Sequence, residues 1–203
     1  FKKVWRTLFV ITIAVPQFVS LLLMRNFLND HGPLNGLLQT LHLTNGPIPF
    51  LTDPLWAKFS IIFVNMWIGI PFTMLVATGI IMNLPTEQIE AAEIDGASKF
   101  QIFKSITFPQ ILLIMAPSLI QQFIGNINNF NVIYFLTGGG PKNSEYYQAG
   151  STDLLVTWLY KLTVSAKDYN LASVIGILIF AISATFSLLA YTRSSSFKEG
   201  AAK

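Results

Sequence analysis

Two sets of uncharged polar residues interrupt otherwise apolar sequence. Asn65, Gly69 and Phe72 recur at i, i+4 and i+7, with Trp67 offset from them. Gln122, Asn126 and Asn129 repeat that spacing, with Gln121 and Asn128 close by. On a helix such spacing places each set along one stripe. A primary amide carries two donors and an acceptor with two lone pairs, a combination that suits hydroxyl groups. Trp67 and Phe72 add flat apolar faces of the kind sugar rings lie against. Neither stretch has Asp, Glu, Lys or Arg in its apolar core, so ions and protons have no relay. Amides in hydrocarbon are costly unless they face protein or water. Two readings remain open on the residues alone: hydrogen bonding between packed helices, which averages under about 1 kcal/mol per bond, or a site for a polar cargo.

Catalytic sets are missing. The chain has no H-E-x-x-H, no G-x-S-x-G and no acid inside an apolar stretch, which argues against a membrane-embedded hydrolase or transferase. Glu145, Asp153 and Asp168 are far apart in sequence and read as solvated. Thr137-Gly138-Gly139-Gly140-Pro141 reads as a flexible external turn and not as a phosphate loop, since no G-x-x-x-x-G-K occurs. His31 and His42 share a loop without a nearby acidic cluster, and Cys is absent, so no metal site or disulfide framework is expected. The net charge of +3 is dispersed, and no basic cluster supports a nucleic-acid partner. No cofactor is expected on this chain.

The elements that must position the amides are membrane helices. Only 11% of the 203 residues are charged and 52% are hydrophobic, with a mean hydropathy of +0.54, whereas a soluble domain carries about 25% charge. The predicted fold is therefore all-α and polytopic, with the lipid bilayer as partner. Thr7 to Met24, Phe59 to Met82, Ile111 to Ile133 and Leu171 to Tyr191 each approach the roughly 20 residues that cross a bilayer. Pro16 reads as a packing kink in the first, and Pro71 as able to loosen the second. Among the 13 Lys and Arg, Lys2, Lys3, Arg6, Lys99, Lys104, Arg193, Lys198 and Lys203 flank one side, against Arg25, Lys58, Lys142, Lys161 and Lys167 on the other. The larger group is expected inside the cell, with both chain ends. Outside, Gly32-Pro33, Gly46-Pro47-Ile48-Pro49 and Asp53-Pro54 punctuate a loop around an amphipathic piece from Leu34 to Leu43. Thr152 to Leu162 reads as an interfacial helix anchored by Trp158 and Tyr160. Ala172 and Gly176 offer close helix approach in the last span, and the tail from Ser194 to Lys203 is expected to fray.

Between the second and third spans lies Glu87 to Pro109, the one long stretch that is both charged and helix-forming. Glu87, Glu90 and Glu93 form an acidic ridge, and Ile89, Ala92 and Ala97 keep the other side small and apolar. Gly96 falls where a first helix ends. Ser98 can cap a second helix, running through Phe100 and Phe103 and stopping before Pro109. The expected product is a rigid helix–turn–helix elbow. Glu90-Ala91-Ala92, Gly96 and Ile106-Thr107-Phe108-Pro109 resemble the EAA loop of permease subunits in binding-protein-dependent ABC importers. The usual form is E-A-A, three residues, G, nine residues, I-x-L-P, and this chain departs only in Phe108 for leucine.

From Asn65 to about Tyr191 the chain is similar to the larger permease subunit of maltose and maltodextrin importers. The resemblance implies a type I ABC importer permease fold, of which these four spans are part of a six-helix or larger core. At least two further spans are implied upstream, so that residues 1–203 are the C-terminal part of a longer permease, with 87–109 as its cytoplasmic coupling loop. It implies that Glu90, Ala91, Ala92, Asp95, Gly96, Ile106 and Pro109 serve coupling to the ATPase. The family motif N-x-W-x-G-x-x-aromatic is supplied by Asn65, Trp67, Gly69 and Phe72, and Asn126 and Asn129 stand where family amides bind sugar midway across the membrane. Gln122 replaces a smaller serine, and Gly125 stands where an aromatic residue stacks on the sugar, which suggests room for a longer or differently placed oligosaccharide. Implied partners are a paralogous second permease, two cytoplasmic ATPase subunits that bind the ATP and Mg, and an extracytoplasmic sugar-binding protein contacting the outer loops. Another oligosaccharide or polar solute is the alternative cargo. A non-transporting scaffold subunit would account for the elbow but not for two amide stripes.

Overall fold

The computed structural model of the chain describes residues 2–193. The side chains of Lys2, Lys3, Arg6 and Arg193 and the whole tail from Ser194 to Lys203 lie outside what it describes, so the expectations placed on them are not addressed. Ten α-helices are found among the described residues: α1 (Lys2–Ala14), α2 (Gln17–Phe27), α3 (Pro33–Thr40), α4 (Pro54–Met82), α5 (Thr86–Ile94), α6 (Lys99–Ile102), α7 (Phe108–Ile127), α8 (Phe130–Leu136), α9 (Leu155–Lys161) and α10 (Tyr169–Arg193). Three helical runs, Pro54–Met82, Lys99–Ile127 and Tyr169–Thr192, are long and apolar enough to cross a membrane.

The first expected span is not one helix. Thr7–Ala14 and Gln17–Phe27 meet at 103°, and neither piece alone reaches the roughly 30 Å of a hydrocarbon core at about 1.5 Å per residue. Pro16 is extended (φ −54°, ψ 133°) and its carbonyl accepts from Val19 and Ser20, opening α2. Proline expels its predecessor from the helical region and removes a ladder donor, so Pro16 breaks the helix and does not merely kink it. Two other boundaries also moved. Helix α4 starts at Pro54, because the Asp53 carboxylate accepts from Leu55 and Trp56 N–H and Pro54 sits in the first turn. The third span ends at Ile127 and not at Ile133, because Asn129 leaves the helical region (φ −77°, ψ 82°) and caps α8, its side chain accepting from Val132 N–H.

The second helix of the elbow does not stop before Pro109. It continues from Lys99 through a π-helical turn at Phe103–Thr107 into α7. Phe108 N–H bonds the Phe103 carbonyl, five residues back. This wider turn lets the helix pass a proline that can donate nothing to the ladder.

Two compact units divide the fold, Phe1–Pro71 with Gly125–Ser183, and Phe72–Ile124 with Ala184–Lys203. In the first, Leu21, Leu28, Val64, Val132 and Leu136 form a core that joins α2, α4 and α8, and Leu162, Ala172 and Ile175 form another around α9 and α10. Gly176 faces the Leu159 side chain, with room left for a methyl group at ordinary van der Waals range. Asn35 is 1% exposed and ties the outer loop through its amide to Asn29 and Ile48. In the second unit, Leu84, Ile111 and Met115 pack with Val76, Ala77 and Ile80.

Candidate functional site

Asn65, midway along α4, is hydrogen-bonded to two amides, Asn126 on the last turn of α7 and Asn129 at the start of α8. Its Nδ2 donates to Asn126 Oδ1 at 2.9 Å, and its Oδ1 accepts from Asn129 Nδ2 at 3.0 Å. Asn129 Nδ2 also lies 3.4 Å from Asn126 Oδ1. The three amides thus close into one uncharged network, half-buried at Asn65 and Asn129 and exposed at Asn126. Helical spacing predicted Asn126 and Asn129 on one stripe, but they reach Asn65 from different helices. Asn129 does so as the cap of α8.

Trp67 points elsewhere. Its ring packs against Phe9 of α1 at 6.1 Å and 54°, and it lines a 500 Å³ cavity with Thr12, Ser20, Met24, Asn26 and Phe27 at the α1–α2 bend. Residues two apart on a helix face nearly opposite ways, so Asn65 and Trp67 address different surroundings in this unit. Gly69 and Gly125 have open space where a side chain would begin, with nothing within 4 Å among the described residues. Asn128 bonds Ser183 of α10 at 2.8 Å and is a packing contact.

Phe72 and Gln122 belong to the second unit. Phe72 is 51% exposed. Gln122 Oε1 accepts from Thr73 Oγ1 at 3.0 Å, and Gln122 Nε2 is buried without a hydrogen-bond partner. Thr73 is a functional candidate that sequence reading missed. Its position next to Phe72 was the only signal.

The elbow follows its local chemistry. Gly96 (φ +80°) closes α5 in the left-handed conformation, with Gly96 N–H bonding the Glu93 carbonyl at 3.1 Å and Ala97 N–H bonding that of Ala92 at 3.0 Å. These are the two bonds of a Schellman cap. Asp95 is the last residue before it. Ser98 and Gln101 then form a reciprocal capping box, with Ser98 N–H to Gln101 Oε1 at 2.8 Å and Gln101 N–H to Ser98 Oγ at 3.4 Å. Gln88 and Gln110 bond across at 2.5 Å, pinning α5 to α7, a contact with no sequence signal. Glu87, Glu90, Ala91, Glu93 and Pro109 are exposed, while Ile89, Ala92, Ala97 and Ile106 are half-buried. The outermost apolar side chains of the elbow are Ile94, 86% exposed, and Phe100, 70% exposed.

The glycine turn after α8 is held, not loose. Thr152 Oγ1 contacts Thr137 Oγ1 at 2.9 Å and donates to the Gly140 carbonyl. Ser151 N–H bonds the Pro141 carbonyl at 2.8 Å. Asp153, expected to be solvated, has only 2% of its side chain exposed. It pairs with Lys161 and accepts from Gly150 N–H at 2.7 Å. Its carboxylate fills the space beside Gly139 (φ +79°), where no side chain fits. Trp158 spends its indole N–H on the Tyr147 carbonyl at 2.8 Å.

The family described as binding-protein-dependent transport system inner membrane component matches residues 1–196. The galactooligosaccharides transport system permease protein of Bacillus subtilis is 39% identical over 202 residues, 99% of this chain and 48% of that one. The maltodextrin transport system permease protein of Streptococcus pneumoniae is 37% identical over 204 residues, 97% and 47% of the two chains. A crystal structure of a bacterial ABC transporter that imports the acidic polysaccharide alginate matches with a TM-score of 0.80 at 25% identity, covering 93% of this chain and 64% of that one. The chain spans about half the length of the curated relatives it matches.

Proposed function

We propose, because this chain belongs to the inner membrane components of binding-protein-dependent transport systems, that it is pore-forming sequence of an ABC importer permease for neutral oligosaccharides of the maltodextrin type. The observation that carries this reading is the closed, uncharged network of Asn65, Asn126 and Asn129 on apolar helices. Amides of that kind match sugar hydroxyls. Helix α4 beyond Lys58 and helix α7 contain no Asp, Glu, Lys or Arg, which disfavours an acidic cargo like that of the alginate importer. Relatives named for maltodextrin and galactooligosaccharides support the saccharide class.

In this reading the chain is coupled, not catalytic. Two cytoplasmic ATPase subunits hydrolyse ATP with its Mg²⁺, a second permease completes the pore, and an extracytoplasmic binding protein delivers the sugar. Glu90, Ala91 and Ala92 on α5, with Asp95 and Gly96 at its end, form the docking surface, with Ile94 and Phe100 as apolar anchors for the ATPase. Ile106 and Pro109 lie on the helical run that continues from the elbow into α7. Closure of the ATPases would shift a two-state pore between inward and outward access.

The test is ATP hydrolysis and sugar uptake by the full-length permease reconstituted with its partners, with maltodextrins and galactooligosaccharides in parallel. Asn126→Ala is expected to keep basal hydrolysis and lose uptake. Gly96→Val is expected to uncouple hydrolysis from uptake, since a branched side chain at φ +80° costs about 1–2 kcal/mol. Stimulation by neither sugar, with Gly96→Val still uncoupling, would keep the importer and discard the saccharide.

A further inference from the structure

Helix α8 begins at the amide network, since Asn129 both caps it and bonds Asn65. Its inward face, Val132, Ile133 and Leu136, is buried and accounts for its packing. A second side of the same helix carries Phe130 and Tyr134, four residues apart and therefore neighbours. Their rings stack at 4.9 Å and 19°. Tyr160 of α9 stands edge-on to both, 5.2 Å from Phe130 at 68° and 5.2 Å from Tyr134 at 75°. The neighbouring Tyr134 phenol, through hydrogen bonding, pushes the Tyr160 hydroxyl above its ordinary pKa range. A phenol offers one donor and spare lone pairs to a ligand hydroxyl. Despite these ring contacts, Tyr134 is 38% exposed. No charged residue occurs from Asn129 to Pro141. An interfacial belt tyrosine points its hydroxyl to water on its own, whereas these two rings stand edge-on to each other beside a stacked platform.

We propose that Phe130, Tyr134 and Tyr160 form a second saccharide subsite, which takes the sugar unit next to the one held by Asn65, Asn126 and Asn129. It rests on the oligosaccharide reading above. At about 1.5 Å per residue the platform begins within roughly 7 Å of the network along α8, so an extended neutral oligosaccharide reaches both. The amides supply hydroxyl recognition and the rings supply a face and two phenolic hydroxyls. A disaccharide occupies the amides alone.

The experiment uses the full-length permease assembled with its second permease, ATPases and binding protein in proteoliposomes. The half-saturating concentration for uptake is measured along a maltodextrin series from the disaccharide upward. Tyr134→Leu removes the platform and is expected to raise that concentration about tenfold for the longer chains while leaving the disaccharide unchanged. Tyr134→Phe keeps the ring and removes one hydroxyl, with an expected rise of about threefold on the same chains only. An equal shift at every length, or none in either variant, overturns the subsite and leaves the saccharide reading standing. Loss of the second permease from purified Tyr134→Leu complexes, with Tyr134→Phe normal in every respect, assigns this face to subunit packing and overturns it too. A wild-type complex that responds to no saccharide overturns both.

Discussion

Substituting Gly125 with phenylalanine probes the candidate cargo site with little cost to the fold. A side chain starting at Gly125 has nothing within 4 Å among the described residues, and the position is exposed. The backbone change favours the helix, since glycine is about 1 kcal/mol and phenylalanine about 0.5 kcal/mol less favourable than alanine. The apo complex should therefore melt at the same temperature or slightly higher. If sugar lies along this turn of α7, a ring there adds a stacking partner worth about 0.5–1.5 kcal/mol, or about two- to twelvefold in half-saturating concentration. That gain should fall on the shortest maltodextrins, which fit beside the ring, while longer chains lose the room that glycine leaves. The assay is sugar-stimulated ATP hydrolysis by the complete transporter across the same length series, with melting followed by tryptophan fluorescence. An unchanged preference among chain lengths in a normally folded variant would refute the link between Gly125 and cargo length. Outright failure to fold would refute the open space itself.

The outer clasp predicts that two adjacent glycines respond differently. Gly138→Ala meets open space at φ +61° and should cost about 1–2 kcal/mol, whereas Gly139→Ala would run into the Asp153 carboxylate and Lys161 ammonium, parting a largely buried ion pair for about 3–5 kcal/mol. Equal melting temperatures for the two variants would contradict the clasp. The tyrosine pair predicts a pH effect. A raised Tyr160 pKa means its neutral form is favoured in the folded state, so its contribution is complete below the ordinary tyrosine range and lost as pH climbs through the raised value. Tyr134→Phe should bring the Tyr160 absorbance titration back towards an ordinary phenol, and an unmoved titration would exclude the hydrogen bond as its cause.

What the sequence displayed most openly was the chemistry encoded within a few residues. Gly96 ends α5 because only a left-handed residue satisfies both orphan carbonyls there, and Ser98 with Gln101 opens the next helix by the same local logic. The apolar runs of α4 and α10 also declared themselves, through composition. Two breaks were misjudged although their signals were local. Pro16 ends a helix outright, and Asn129 is a stronger cap than a mid-helix residue. Pro109 erred the other way, since a π-helical turn absorbs it. Contacts between distant segments left no trace to read. Nothing near Asp153 says that Lys161 and the Gly139 backbone will enclose it, nothing in Gln88 names Gln110, and Thr73 gains interest only once Gln122 lies against it.

The amide network also bears on the choice between helix packing and cargo binding, because the two roles are compatible at these energies. Bonds between uncharged side chains in membrane helices average about 0.6 kcal/mol, so the Asn65, Asn126 and Asn129 contacts together stabilise an empty state by roughly 2 kcal/mol or less. A sugar hydroxyl taking over the same donors and acceptors returns about 0.5–1.5 kcal/mol per bond. Exchange between the self-bonded and the cargo-bound arrangement is then close to balanced, and a site that must fill and empty once per cycle needs that balance. A buried ion pair in the same place would resist opening by several kcal/mol. Under the transport reading, the lack of charge along these helices keeps the closed network weak enough for cargo to open it.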